Sequence, residues 1–113
     1  MSTRQALDLI SLEVIRNRLT VIADEMEVTL LRSSFSAIMK EALDGSAAIF
    51  DADGNTISQA SAIPIHLGSL IYAVRKVIEL FGEDMVEGDI FILNDPYQGG
   101  THINDITFTM PIF

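Results

Sequence analysis

The sequence predicts a mixed α/β (α+β) fold, with a long N-terminal helix packed on a small sheet, a β-hairpin and a second helix. Three observations predict it. Apolar residues recur every three or four positions between Leu7 and Arg32, the period of one helix face. Two β-prone runs, Ser46 to Phe50 and Thr56 to Gln59, flank a glycine-containing turn. Two further apolar runs, Asp89 to Leu93 and Ile106 to Met110, enclose a polar loop.

In the first element, Leu12, Ile15, Leu19, Ile22, Met26 and Leu30 form one stripe, and Leu7, Ile10, Val14, Val21 and Val28 form a second. So wide an apolar arc suits a helix that packs on more than one neighbour. At ~1.5 Å per residue it spans nearly 40 Å. Asp24, Glu25 and Glu27 lie between these stripes and read as a solvated face. From Ser33 to Gly45 the periodicity fails. Serine hydroxyls compete with the helical backbone for hydrogen bonds, so a break or bend belongs near Ser33 to Ser36.

The turn Asp51-Ala52-Asp53-Gly54-Asn55 imitates a calcium loop, but glycine stands at the fourth place and Ala62 at the twelfth, where glutamate is needed. It reads as a plain hairpin turn. Pro64 keeps Ile63 extended and opens a helix whose face is Leu67, Leu70, Val74, Val77, Ile78 and Phe81. Gly82 is placed to end that helix as its left-handed C′ residue. His66 therefore falls near a helix N-terminus.

At 113 residues there is room for a single small domain spanning 1–113. Its 49% hydrophobic content is high for a free-standing domain of this size, so apolar surface is expected to meet another part of a larger protein or a partner, in an oligomer. The net charge of −9 excludes a basic patch for nucleic acid and disfavours an anionic membrane. Cysteine is absent, which removes disulfides, a thiol nucleophile and thiolate metal sites. No signal peptide or membrane-spanning run is seen, and a cytoplasmic location is the expectation.

Chemistry concentrates in Asn94-Asp95-Pro96-Tyr97-Gln98-Gly99-Gly100-Thr101-His102-Ile103-Asn104-Asp105. No phosphate-binding P-loop, dinucleotide fingerprint or nucleophile elbow occurs. What remains is a divalent metal, zinc or manganese, held by Asp44, His102 and Asp105, with His66 and Asp95 orienting them. Gly99 and Gly100 would allow positive φ or a close approach of backbone to ligand. Spacing alone favours the alternative, a structural loop with a satisfied histidine. No catalytic residue is assigned.

Several segments together resemble one family. They are Arg32-Ser33-Ser34-Phe35-Ser36, Lys40-Glu41-Ala42-Leu43-Asp44, Ile63-Pro64-Ile65-His66-Leu67-Gly68-Ser69, Gly88-Asp89, and Asn94 through His102 to Asp105. In order and spacing they resemble the N-terminal part of the hydantoinase B / 5-oxoprolinase family, which includes the B subunit of ATP-dependent N-methylhydantoinase and relatives in acetone and acetophenone carboxylases. The resemblance implies a longer hydantoinase B-type subunit working with a hydantoinase A-type partner subunit or domain that binds ATP. It implies metal-assisted ring opening of a small cyclic amide, hydantoin or 5-oxoproline, after ATP activates its carbonyl oxygen. By motif, Asp44 and His102 would be ligands, Asp105 a less certain one, and further ligands would lie beyond Phe113. Thr101, with Gly99, Gly100, His66 and Asp95, would contact substrate or orient the ligands. Many relatives carry Arg where Ala42 stands and His where Ala62 stands, which leaves the substrate open. An acetone-type carboxylase subunit is the second enzyme reading. A folded but non-catalytic piece that only associates with the rest of the enzyme is the third.

Overall fold

The computed structural model describes residues 8–60 and 64–113; Leu7, Ala62 and Ile63, which entered the reading above, lie outside them. The first helix, α1, runs from Leu9 to Ser33. Asp8 caps it, its carboxylate accepting from the Ser11 backbone N–H and hydroxyl, both at 2.8 Å. The expected break falls where the serines stand. Ser33 Oγ donates to the Leu30 carbonyl at 3.0 Å, Ser34 turns extended, and Ser34 Oγ accepts from the Ser36 N–H. Ser36 then caps a short helix that the periodicity did not announce, α2 (Ala37–Ala42).

The hairpin is present as β1 (Ala48–Phe50) and β2 (Thr56–Gln59), antiparallel, with a bulge between Ile49 and Phe50. Its turn is closed from within. Asp51 Oδ1 accepts from the Asp53 and Asn55 N–H groups, and Oδ2 from the Asn55 amide. With both oxygens engaged by N–H donors, the plain-turn reading holds. Arg75 of the next helix, α3 (Pro64–Phe81), fastens this turn by donating to the Gly54 carbonyl at 3.3 Å and to Asn55 Oδ1 at 3.2 Å.

Helix α3 ends where Gly82 was expected to end it, but for another reason. Gly82 does not adopt positive φ. A Cβ there would stand 2.6 Å from the Ile78 carbonyl oxygen, so the glycine admits a tight exit. The chain then turns at Gly88 (φ 94°) into β3 (Phe91–Leu93), which pairs antiparallel with β4 (Thr107–Thr109). Phe91 stacks on Phe81 with ring centroids 5.1 Å apart, fixing the start of β3 to the end of α3.

The expected sheet is thus realised as two separate two-stranded hairpins. Helix α1 packs on β2 and β1, while α3 packs on β1, on β4 and on the connection between β3 and β4. The core is narrow and built from small side chains: Ala23, Ala47, Ala60, Ala73, Val74 and Val77. The wide arc of α1 is not buried as expected. Ala23 is its one buried residue, and most of its large apolar side chains face solvent. The acidic reading is corrected as well: Glu25 is exposed, but Asp24 and Glu27 are half-buried. Burial, with the nearby Asp24 charge, raises the Glu27 carboxyl above its usual value. No described helix is long and apolar enough to cross a membrane.

Candidate functional site

Asp44 is placed by backbone geometry. Leu43 closes α2 in the left-handed conformation (φ 54°), the only described non-glycine residue with positive φ, and this reverses the chain just before Asp44. Gly45 then lies against α1, where a Cβ would meet Leu31 Cδ2 at 3.1 Å. Nothing in Ala42-Leu43-Asp44 signals this, since leucine is a poor left-handed residue. The turn brings Asp44 Oδ1 to 3.5 Å from His66 Nε2, in the first turn of α3. Two residues on, the Ser46 hydroxyl is buried with no partner among the described residues, a group left for water or ligand.

The second half of the site is the loop between β3 and β4. Asp95 opens it as a cap of the 3-10 turn Pro96–Gln98, its Oδ1 accepting from the Tyr97 N–H at 2.9 Å. Its carbonyl accepts from Gln98 and Gly100. One carboxylate oxygen and the carbonyl of Asp95 are thus engaged in the turn itself. Gly99 (φ 111°) lies flat on α3, where a Cβ would fall 2.6 Å from the Ala73 nitrogen. A Cβ on Gly100 would stand 3.0 Å from the Asp95 carbonyl oxygen. Close approach is thus what these glycines permit, but the near surface is the protein's own backbone.

Anchored in this way, the chain forms the turn Thr101 to Asp105, closed by the Asp105 N–H donating to the His102 carbonyl at 3.0 Å. Thr101 Oγ1 donates to Asp105 Oδ2. His102 Nδ1 stands 3.3 Å from the same oxygen. The Thr101 hydroxyl is the main cause that holds the Asp105 carboxyl below the usual carboxylate value; partial burial opposes it, and His102 and then His66 add to the lowering. The Asp44–His66 pair and the Thr101–His102–Asp105 turn are two separate local arrangements, with no hydrogen bond or ion pair between them among the described residues.

The donors therefore come as two histidine–carboxylate pairs. Among the described residues no three histidine, aspartate or glutamate side chains converge as metal ligands. The chemistry of each pair suits zinc or manganese, but a structural or catalytic ion takes at least three protein ligands at one point. Of the predicted trio, His102 and Asp105 are brought together, while Asp44 is paired with His66 instead. The residues fit a metal in kind and fall short in number. Beside Thr101, a cleft of about 660 Å³ runs between the outer stripe of α3 (Gly68, Tyr72, Arg75) and the loop (Tyr97, Gly99, Thr101).

Fold and site together define an α+β module that presents two histidine–carboxylate pairs. The comparisons give that class its family. The hydantoinase B/oxoprolinase profile matches residues 8–113. The chain is 41% identical to an uncharacterized protein of Methanocaldococcus jannaschii, over 95% of this chain and 20% of that one. It is 40% identical to 5-oxoprolinase 1 of Arabidopsis thaliana over 94% of this chain and 8% of that one. It is 42% identical to caprolactamase subunit beta of Pseudomonas jessenii over 95% of this chain and 18% of that one. The chain belongs to the hydantoinase B/oxoprolinase family. It spans between 8% and 20% of the length of these three relatives. Two of the three are, by name, enzymes of cyclic amides, and one is named as a subunit. No solved structure matches the chain.

Proposed function

We propose that the chain is the N-terminal part of a hydantoinase B-type subunit, supplying one wall of a metal-assisted active site that opens a cyclic amide activated by ATP. The observation that carries this reading is the presence of two histidine–carboxylate pairs, Asp44 with His66 at 3.5 Å and His102 with Asp105 at 3.3 Å, in a chain matched by the family profile over residues 8–113. In it Asp44, His102 and Asp105 contribute to holding a divalent ion, zinc or manganese, with the remaining ligands supplied from outside these residues. When bound, such an ion supplies Lewis-acid polarisation of the carbonyl and an acidified water. The Thr101 hydroxyl holds Asp105 Oδ2, which lies 3.3 Å from His102 Nδ1, so the imidazole and the carboxylate are presented together. His66, paired with Asp44, limits the positions that carboxylate can take.

The substrate class is a small lactam, hydantoin or 5-oxoproline type. ATP is bound on a hydantoinase A-type partner and transfers phosphate to the amide oxygen. ADP leaves, a first water adds to that carbon, and the C–N bond breaks with the nitrogen taking a proton; a second water then cleaves the resulting acyl phosphate to carboxylate and phosphate. Because the described residues bring two pairs and no third donor to one point, we expect the isolated chain to be inactive alone.

The test is calorimetric titration of the chain with zinc and manganese. Weak binding is expected, abolished by His102→Ala and weakened about tenfold or more by Asp44→Asn. Binding that survives His102→Ala overturns the ligand assignment. With the partner subunit and the remaining family sequence present, ATP hydrolysis should track lactam loss. Bicarbonate-dependent ATP use with a ketone would instead establish the acetone-type carboxylase reading.

A further inference from the structure

We propose that α1 is a self-association seam that pairs antiparallel with α1 of a second copy of this chain. The helix turns one side to its own fold, with Ala23 buried and Glu27 and Leu31 half-buried, while Leu19 and Ile22, also half-buried, lie at the border between that side and the next. An adjacent side is open. Leu12 is 50%, Ile15 46% and Met26 44% exposed, and a groove of about 440 Å³ runs along Ile22, Met26 and Leu30.

The spacing of that open side identifies the occupant. Leu12, Leu19 and Met26 are seven residues apart, and Ile15, Ile22 and Thr29 repeat the interval three residues later, the two seam positions of a paired helix. An antiparallel pair with its twofold axis between Leu19 and Ile22 sets each first-position residue against a second-position residue of the other copy. Leu19 then meets Ile22, Ile15 meets Met26, and Leu12 meets Thr29, with every contact made twice. The same register sets Arg18, flanking the seam on one side, against Glu25 of the second copy, and Glu25 against its Arg18. Both side chains are exposed, and neither has an ion-pair partner among the described residues. Two like-charged chains of net charge −9 would otherwise repel, so the opposite charges sit where association needs them. The other open stripe, Ile10, Val14, Val21 and Val28, lacks this property. Asn17 and Asp24 interrupt it at the alternate seam positions.

Sedimentation equilibrium of the chain over about a hundredfold concentration range tests the seam. The chain should self-associate, and Arg18→Glu and Glu25→Arg should each weaken association about tenfold or more by placing like charges together twice. An equimolar mixture of those two variants should associate more tightly than either alone, because every facing pair is then opposite in charge. Ile15→Ser, a change at an exposed position, should also dissociate the pair while circular dichroism shows retained helix. A chain that stays monomeric throughout overturns the proposal, as does association unchanged by both charge variants or a mixture no tighter than its components.

Discussion

Replacing Gly99 with alanine tests whether the loop bearing His102 is held by contact with α3. The new Cβ would lie 2.6 Å from the Ala73 nitrogen, 2.7 Å from the Tyr72 carbonyl carbon and 3.0 Å from the Ala73 Cα. These are backbone atoms in the middle of a helix and cannot step aside as a side-chain tip could. The loop must lift instead. Positive φ at a residue with a Cβ costs about 1–2 kcal/mol, and overpacking adds about 1–3 kcal/mol. The total of roughly 2–5 kcal/mol is a large share of the stability of a domain this size. Gly88 provides the control: its φ is 94°, yet nothing lies within 4 Å of its added Cβ. Gly88→Ala should therefore show the conformational cost alone. Urea unfolding followed by circular dichroism, with equal m-values, gives both numbers. If Gly99→Ala is no more destabilising than Gly88→Ala, the loop does not rest on α3 as described.

Thr101→Val removes the main cause that keeps the Asp105 carboxyl low, so its midpoint in a ¹³C NMR titration should rise toward the ordinary value. Asp105 ionisation stabilises the fold above the unfolded-state value, and that contribution is lost as pH falls through the lower folded value. The variant should therefore lose less stability on acidification, and an unmoved Asp105 midpoint would contradict the hydrogen bond. Glu27 has the opposite sign. Its raised value means that the protonated form suits the fold, with stability present below the unfolded value and lost as pH rises through the folded one. Glu27→Gln should raise Tm at neutral pH by up to a few degrees and little at pH 3, and a lower Tm at neutral pH would refute the burial argument. Leu43→Gly should relieve the left-handed strain beside Asp44 and stabilise by about 0.5–1 kcal/mol in urea unfolding. A net loss would mean that the half-exposed leucine contributes packing the backbone argument ignores.

Much of the fold was legible because it is local. The period of α1, the Asp51 to Asn55 turn and the apolar runs around the loop are all set by residues within a turn or a strand of one another. The serine break was legible too, although its second product, α2, was not, since six residues carry too little periodicity to stand out. Gly99 and Gly100 were read as allowing positive φ or a close approach to a ligand; Gly99 has the positive φ, and the surface it approaches is α3. That Gly99 meets Ala73, or that Gly82 clears Ile78, depends on where distant backbone comes to rest. Asp95 was read as an orienting group, and the cap it makes for its own turn, through one carboxylate oxygen, had no signal in that reading.

By itself the sequence determined the element types, the acidic cysteine-free character, the family, and the residue kinds from which a site could be made. Tertiary structure decided which of them meet. Asp44 and His66 are joined by a left-handed turn and a helix start that no local pattern connects. His102 and Asp105 are locked together by Thr101, on a loop pinned to α3 through a glycine. The apolar stripes of α1 were plain in the sequence as surface to be buried. Only the packed chain left both of them largely open, because periodicity specifies a face and the arrangement of neighbours decides what covers it.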